Sequence, residues 1–139
     1  MSEWEFSLPL RVYIEDTDAG GIVFYVNYLK FMERARTEFM RQLGFGKDAI
    51  FNRDLMFVVR DVALHYHLPA RLDDELLATA AIDKLGGASM TLRQTVRRGE
   101  DTLVSGTVTI ACVVSGGVTP MRMPPEMRDA LKQWSTDNK

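Results

Sequence analysis

The stretch "EDTDAGGIVFYVNYLKFMERART", residues 15–37, decides the fold. It begins as a loop of carboxylates and glycines and then passes directly into a pattern in which apolar side chains recur every three or four residues. That spacing is the period of one helix face. Over residues 27–43 it is kept by Tyr28, Met32, Ala35, Phe39 and Leu43. Asn27 is a candidate N-cap, and Gly44 stands where a left-handed residue commonly ends a helix, so we predict one helix of about 25 Å.

The segments around this helix alternate apolar and polar residues, as β-strands do. "EFSLPLRVYI" precedes the loop, and its Pro9 favours an edge strand or a bulge. "FVVRDVALHYHL" has the pattern of a half-buried strand. Its apolar face is predicted to hold Val58, Val62, Leu64, Tyr66 and Leu68, and its polar face Asp61, His65 and His67.

Three further segments predict an antiparallel meander. "ELLATAAIDKL" is ambiguous by propensity, but the neighbouring "SMTLRQTVRR" and "TLVSGTVTIACVV" are rich in threonine and valine, which favour strands. The glycine-containing "LGGAS" and "RRGED" between them predict turns. The later "TPMRMPPEMRDALKQW" predicts a short helix that begins near Pro124 or Pro125.

The order of these elements predicts an α+β fold in which a long central helix is wrapped by a curved antiparallel sheet of about five strands. The helix can bury its apolar face only by lying across one side of the sheet. A free sheet edge invites pairing with a second copy, so we expect a homo-oligomer with a site at the subunit boundary. The 139 residues fit one domain spanning residues 1–139.

The composition of the chain excludes several classes of function. A formal net charge of -2 gives no basis for general nucleic-acid binding. No apolar run approaches the roughly 20 residues of a membrane span. "MSEWEFSLPLRV" does not resemble a signal peptide, so we expect a cytoplasmic protein. The single cysteine, Cys112, excludes an internal disulfide and is predicted to be an inert core thiol.

The loop before the helix carries the groups that acyl chemistry needs. Gly20 and Gly21 permit a tight turn after Asp18, into a helical segment around residues 23–27. A helix N-terminus offers unpaired N–H groups to an oxygen that becomes negative, and a nearby carboxylate can activate water or attack a carbonyl. The alternative is that Asp16 and Asp18 only cap turns that the glycines permit.

The run "DAGGIVFYVNY", residues 18–28, with "FVVRDVALHYHLPARLDDELLATAAIDKLGGASMTLRQTV" after it, resembles the hotdog-fold acyl-CoA thioesterases. The resemblance extends from about residue 8 to about residue 126 and is to the Tol-Pal-associated and 4-hydroxybenzoyl-CoA branches in particular. It implies a central helix wrapped by an antiparallel sheet, which continues from one subunit into the next.

The resemblance also implies catalytic roles. Asp18 matches the family's nucleophile or general base, and the backbone N–H of Tyr25 matches the group that polarises the thioester carbonyl. Many Tol-Pal-associated members have histidine where this chain has Tyr25. The backbone role survives that change because any non-proline residue has an N–H, whereas a histidine side-chain role does not. No metal or redox cofactor is expected.

Coenzyme A has a charged tail that needs basic side chains or backbone donors at the rim of the site. With Gly20 and Gly21 of the loop, the substrate-binding candidates are Arg60, Lys84, Gly86, Ser89, Arg97 and Arg98, although each charged one could equally be a solvated surface residue. The implied partners are the acyl-CoA substrate and further copies in a homodimer or homotetramer. The Tol-Pal resemblance adds a peripheral association with inner-membrane or phospholipid-synthesis proteins.

Two other groups of residues are alternative candidates. Glu33 lies inside the helix, and another hotdog branch uses a helix carboxylate, but a surface ion pair with Arg34 or Arg36 is the simpler interpretation. His65 and His67 share a strand face, so a metal pair is conceivable, but a third ligand is missing.

Two other functions are weighed against a thioesterase. A hotdog dehydratase usually needs a catalytic histidine, and the only two histidines lie far along the chain from the loop. A non-catalytic acyl-thioester-binding or envelope-associated protein should have lost Asp18 or the glycine turn, and this chain has both.

Overall fold

The computed structural model describes residues 5–46, 55–117 and 119–137, and a five-stranded antiparallel sheet packs against one long helix. The strands, in chain order, are β1 (Phe6–Arg11), β2 (Leu55–Tyr66), β3 (Glu75–Leu85), β4 (Ser89–Arg98) and β5 (Asp101–Val114). Within the described ranges the α-helices are α1 (Asn27–Gln42) and α2 (Pro125–Asp137), and Ile14–Asp16 form one 3₁₀ turn. The strand order is β1-β3-β4-β5-β2, so the predicted meander of β3, β4 and β5 is confirmed and β1 and β2 are the edges.

Helix α1 buries the predicted stripe. Tyr28, Met32, Ala35 and Phe39 are buried against the sheet, and Gly44 follows the helix with a φ of 95°. The predicted N-cap is wrong. Val26 is the cap residue, with helical dihedrals, and Asn27 is the first residue of the helix. The side chain of Asn27 is instead directed back toward the loop.

A buried glutamine joins α1 to the sheet. Gln94 of β4 is fully buried, and its amide donates to the carbonyl oxygens of Met32 (3.0 Å) and Thr79 (3.1 Å). Its Oε1 accepts a hydrogen bond from Arg36 Nη1 at 2.9 Å. Burial lowers the pKa of Arg36, and the nearby Glu33 carboxylate offsets part of that change. These bonds fix α1 along its axis as well as against the sheet.

The edge strands differ from each other. Pro9 lies in β1, opposite Leu77 of β3, so the predicted edge position is confirmed. In β2 the predicted alternation is wrong at Val58. A bulge between Val59 and Asp61 reverses the side-chain parity, so Val58 lies on the face opposite Val62.

Strand β2 is also less buried than its pattern predicts. Val62 is 43% and Tyr66 46% exposed, because β2 is an edge strand and no strand among the described residues pairs with its outer side. Cys112 of β5, by contrast, is fully buried in the core as predicted, and that burial raises the pKa of its thiol. No helix among the described residues is both long and apolar enough to cross a membrane.

Candidate active site

The loop that carries Asp18 folds into a tight hairpin. Thr17 and Val23 form an antiparallel bridge, and the N–H of Asp18 donates to the Ile22 carbonyl at 2.9 Å. Gly21, whose N–H donates to the Asp18 carbonyl at 3.1 Å, has a φ of 79°. That left-handed conformation is strained for residues with a Cβ atom, so the predicted need for glycine is confirmed at Gly21.

The Asp18 carboxylate is exposed and held by one of its oxygens. Oδ1 accepts a hydrogen bond from the N–H of Gly20 at 2.8 Å, whereas Oδ2 has no hydrogen-bond partner among the described residues. A Cβ atom at Gly20 would lie 3.3 Å from Oδ1, closer than is usual for carbon. Gly20 therefore orients the carboxylate through its N–H and gives it room, which leaves Oδ2 open.

The start of α1 provides free N–H groups. The turn before the helix is closed by bonds from the Asn27 N–H to the Phe24 carbonyl (2.8 Å) and from the Tyr28 N–H to the Tyr25 carbonyl (3.3 Å). Within the described ranges, the N–H groups of Tyr25 and Val26 donate to no protein acceptor. Unpaired donors at a helix start carry partial positive charge and can bind an oxyanion.

The connection between β2 and β3 supports this loop. The N–H of Val23 donates to the Ala70 carbonyl at 2.9 Å, and the N–H of Leu72 donates to the Gly21 carbonyl at 3.1 Å. The connection is tied in turn by Asp74, which accepts bonds from the Arg71 N–H and from Arg98 Nη1, both at 2.8 Å.

The charge of Asp74 is stabilised by these partners. Partial burial opposes the charged form, but the Arg71 N–H and the Arg98 guanidinium outweigh it and lower the pKa of the Asp74 carboxyl. Arg98, a candidate for the coenzyme tail, is therefore already engaged: its Nη1 binds Asp74 and the Pro69 carbonyl oxygen.

An aromatic groove of about 310 Å³ opens beside Tyr25. It is lined by Val23, Tyr25, Tyr28, Tyr66, His67, Leu68 and Pro69. The Tyr66 ring lies 6.3 Å from that of Tyr25 and 5.7 Å from that of Tyr28. Burial and the neighbouring Tyr25 raise the pKa of Tyr66, so its phenol stays protonated at neutral pH and does not serve as a base.

A second groove runs between α1 and the edge strand β2, in two connected parts of about 360 and 260 Å³. Glu33, Arg36 and Val59 line both parts. The predicted ion pair of Glu33 is not formed: none of the described residues pairs with it within 4 Å, and Arg36 donates to Gln94 instead. Glu33 therefore presents to this groove a carboxylate that forms no ion pair with the described residues, although it lies near enough to Arg36 to oppose the lowering of that guanidinium's pKa by burial.

The residues predicted to bind the coenzyme A tail do not lie close together within one chain. Gly86 and Ser89 close the β3–β4 turn through a 2.8 Å backbone bond, with Lys84 just before it. Arg97 lies eight residues beyond Ser89, at the other end of β4 and about 26 Å away. Arg60 lies on the edge strand and pairs with Asp61 at 3.2 Å. No single phosphate could contact both ends of β4.

The two histidines stack on each other at 4.5 Å, and His67 Nε2 lies 2.9 Å from Ser105 Oγ. Within the described ranges no three His, Cys, Asp or Glu side chains are grouped as a metal site. One expectation is corrected: although His67 is far from the loop along the chain, it lines the same groove as Tyr25.

Sequence reasoning missed Tyr66 as a wall of the site and the tie between Asp74 and Arg98. The alternation of Tyr66 with His65 and His67 did predict that Tyr66 lies on the apolar face of its strand. Nothing in the sequence indicates which groove that face lines. Asp74 and Arg98 are 24 residues apart and have no shared pattern.

Proteins similar to this chain include several thioesterases. The family model of the thioesterase superfamily matches residues 20–105. The acyl-CoA thioesterase YbgC of Haemophilus influenzae is 41% identical over 127 residues, which cover 91% of this chain and 93% of that protein. The chain belongs to the thioesterase superfamily.

Solved structures agree with this assignment. A probable thioesterase from Bartonella henselae superposes with a TM-score of 0.82 at 35% identity, covering 86% of this chain and 99% of that one. A gentisyl-coenzyme A thioesterase superposes with a TM-score of 0.82 at 26% identity, covering 90% and 98%. The predicted hotdog fold is confirmed, and the protein is an enzyme that hydrolyses thioesters.

Proposed function

We propose that the chain hydrolyses acyl-CoA to a free carboxylic acid and coenzyme A, with Asp18 as the working carboxylate. The observation that carries this is the pairing, in one short loop, of the exposed Asp18 carboxylate with the Tyr25 N–H at the helix start. Among the described residues, Asp18 Oδ2 has no hydrogen-bond partner and the Tyr25 N–H has no acceptor. The name of the 41% identical relative supports acyl-CoA as the substrate class.

The chemistry has two routes. In the first, Asp18 removes a proton from water, whose oxygen bonds to the acyl carbon. In the second, Asp18 Oδ2 bonds to that carbon itself, and water then hydrolyses the mixed anhydride. In both, the carbonyl oxygen becomes negative opposite the N–H groups of Tyr25 and Val26, the C–S bond breaks, and the coenzyme leaves as a thiolate. One such N–H donor is typically worth about 3 to 4 kcal/mol.

Glu33 is the second candidate for the catalytic carboxylate. It lines both parts of the groove between α1 and β2 and has no ion-pair partner within 4 Å among the described residues. Its weakness is its distance along α1 from the free N–H groups. It lies eight residues beyond Tyr25, or about 12 Å of helix.

The candidate residues for binding the coenzyme A tail lie at opposite ends of the sheet, which supports a site shared by two copies of the chain. Pairing of two β2 edges in antiparallel fashion would bring the β3–β4 turn of one copy to the same end of the joint sheet as the Asp18 loop of the other. Lys84, Gly86 and Ser89 would then bind the coenzyme tail of the partner's substrate, and Arg60 would lie at the joint.

Two finer predictions stay predictions. The cytoplasmic location is an expectation from the sequence, and the peripheral association with inner-membrane or phospholipid-synthesis proteins rests on the resemblance to the Tol-Pal-associated branch.

The test is coenzyme A release from acetyl-, butyryl-, hexanoyl-, palmitoyl-, benzoyl- and 4-hydroxybenzoyl-CoA. The wild type and Asp18→Asn are compared, with an enzyme-only blank for the Cys112 thiol. We expect turnover of at least one substrate and a fall of about 100-fold or more in kcat for a folded Asp18→Asn. Absence of turnover on every substrate would contradict the proposal and favour the acyl-thioester-binding function.

A further inference from the structure

A buried polar pair closes the base of the catalytic loop. Asp16 is 6% and Asn27 8% exposed, and Asn27 Nδ2 donates to Asp16 Oδ1 at 3.2 Å. Asp16 lies just before the 17–26 segment and Asn27 just after it. The pair therefore joins the two ends of the segment that contains Asp18 and the Tyr25 N–H.

The remaining acceptors of Asp16 hold the same region. Its Oδ2 accepts from the Tyr13 N–H at 2.9 Å, and its backbone carbonyl accepts from the Phe24 N–H at 3.1 Å. Asn27 adds a backbone bond to the Phe24 carbonyl at 2.8 Å. A buried carboxylate is costly without such partners, so the carboxylate and its donors hold one another in a single arrangement.

This arrangement fixes the separation of the two reacting groups. Asp18 follows Asp16 by two residues, and Tyr25 precedes Asn27 by two, so a shift at the pair moves the carboxylate and the oxyanion donor relative to each other. Asp16 and Asn27 are themselves buried, so the pair acts on substrate through the groups that it holds, Asp18 and the Tyr25 N–H. A misplacement of 1 Å can cost about 100-fold in rate.

We propose that Asp16 and Asn27 are a positioning pair, whose hydrogen bond sets the distance between the Asp18 carboxylate and the Tyr25 N–H. The inference rests on the proposed roles of those two groups. It predicts that disturbing the pair lowers kcat while substrate affinity, which depends on the grooves, changes little.

The test exchanges the partners. Asn27→Asp places a carboxylate against Asp16, and the double variant Asp16→Asn/Asn27→Asp puts a donor opposite an acceptor again. Aspartate is well tolerated in the first turn of a helix, so the single change does not weaken α1 by itself. Glu15→Gln, at an exposed neighbour, is the control for altered charge. Each variant is assayed for kcat and KM at a temperature where circular dichroism shows it folded.

We expect kcat to fall about 10- to 100-fold in Asn27→Asp with KM little changed, to recover in the double variant, and to stay unchanged in Glu15→Gln. A folded Asn27→Asp with wild-type kcat, or a double variant that does not recover, would overturn the inference. If Asn27→Asp does not fold, Asn27→Ser, which removes the donor, is judged by the same fall in kcat. Asp18→Asn is assayed in parallel. Full activity of Asp18→Asn would refute the proposed role of Asp18, and this outcome is distinct from a failure of the positioning inference.

Discussion

The roles proposed for Asp18 and Tyr25 use different parts of the two residues. The Asp18 side chain is held by the Gly20 N–H, whereas the Tyr25 side chain is 60% exposed and the role proposed for Tyr25 belongs to its backbone N–H. Under these roles position 25 accepts tyrosine, because any non-proline residue supplies the N–H.

The first prediction separates the Tyr25 backbone from its side chain. Tyr25→Ala keeps the N–H and should retain kcat within about 10-fold, whereas Tyr25→Pro removes it and should lose about 100- to 1000-fold. Steady-state kinetics on the best acyl-CoA, with folding checked by circular dichroism, measure both. An equal loss in the two variants would assign the role to the phenol ring instead.

The sequence predicted the turn of the loop but not the hydrogen bond between Asp16 and Asn27 that joins its two ends. The glycine turn and the exposed Asp18 follow from local rules, and Gly21 has the expected positive φ. Asn27 looked like an N-cap because capping rules consider only the helix. The structure gives its amide a better acceptor, the buried Asp16, which no local rule takes into account.

At the scale of elements, periodicity predicted α1 and the meander because a single face of each is buried. It failed in β2 because a bulge reverses the parity of the side chains without changing the composition of the strand. The predicted burial of the apolar side chains of β2 was also wrong. An alternating pattern shows that one face of a strand is apolar, but not whether the surface that covers this face belongs to the same chain.

The connection between β2 and β3 gives a prediction of acid sensitivity. The pKa of Asp74 is below its unfolded value of 3.8, so its bonds to Arg98 and Arg71 stabilise the fold above that pH and are lost as the pH falls through the lower folded value. Arg98→Met should therefore be less stable than wild type at pH 6, and the deficit should shrink below about pH 4.

Urea unfolding of wild type and Arg98→Met between pH 6 and pH 3 measures that deficit. Arg60→Met is the matched control, because Arg60 pairs with Asp61 at the exposed edge and such pairs contribute about 0 to 1 kcal/mol. A deficit for Arg98→Met that is constant with pH would contradict the assigned role of Asp74.

At the scale of the whole molecule, the edge strand β2 and the start of α1 present an apolar surface. It comprises Val26, Leu29, Val59, Val62, Tyr66 and Leu68, each 37% exposed or more. The sequence predicted a free edge and a homo-oligomer, but it did not indicate that the coenzyme candidates lie at both ends of β4. Turns that are close in sequence can lie at opposite ends of a sheet.

This surface leads to a prediction about assembly. Val62→Asp places a charge in the middle of the edge and should give a monomer with little thioesterase activity, because the proposed site takes groups from two copies. Leu77→Asp, at a similarly exposed apolar residue of β3, should keep both the assembly and the activity. Size-exclusion chromatography with light scattering measures the oligomeric state of each variant, and a parallel assay measures its thioesterase activity. A fully active Val62→Asp monomer would contradict the shared site.

The most direct measurement compares the two candidate catalytic carboxylates in one experiment. Asp18→Asn and Glu33→Gln are each assayed for kcat on the best acyl-CoA, after unfolding curves show that both are folded. We predict that Asp18→Asn loses about 100-fold or more, while Glu33→Gln stays within about 10-fold of wild type. The reverse order would place the chemistry in the groove between α1 and β2 and contradict the role proposed for the Asp18 loop.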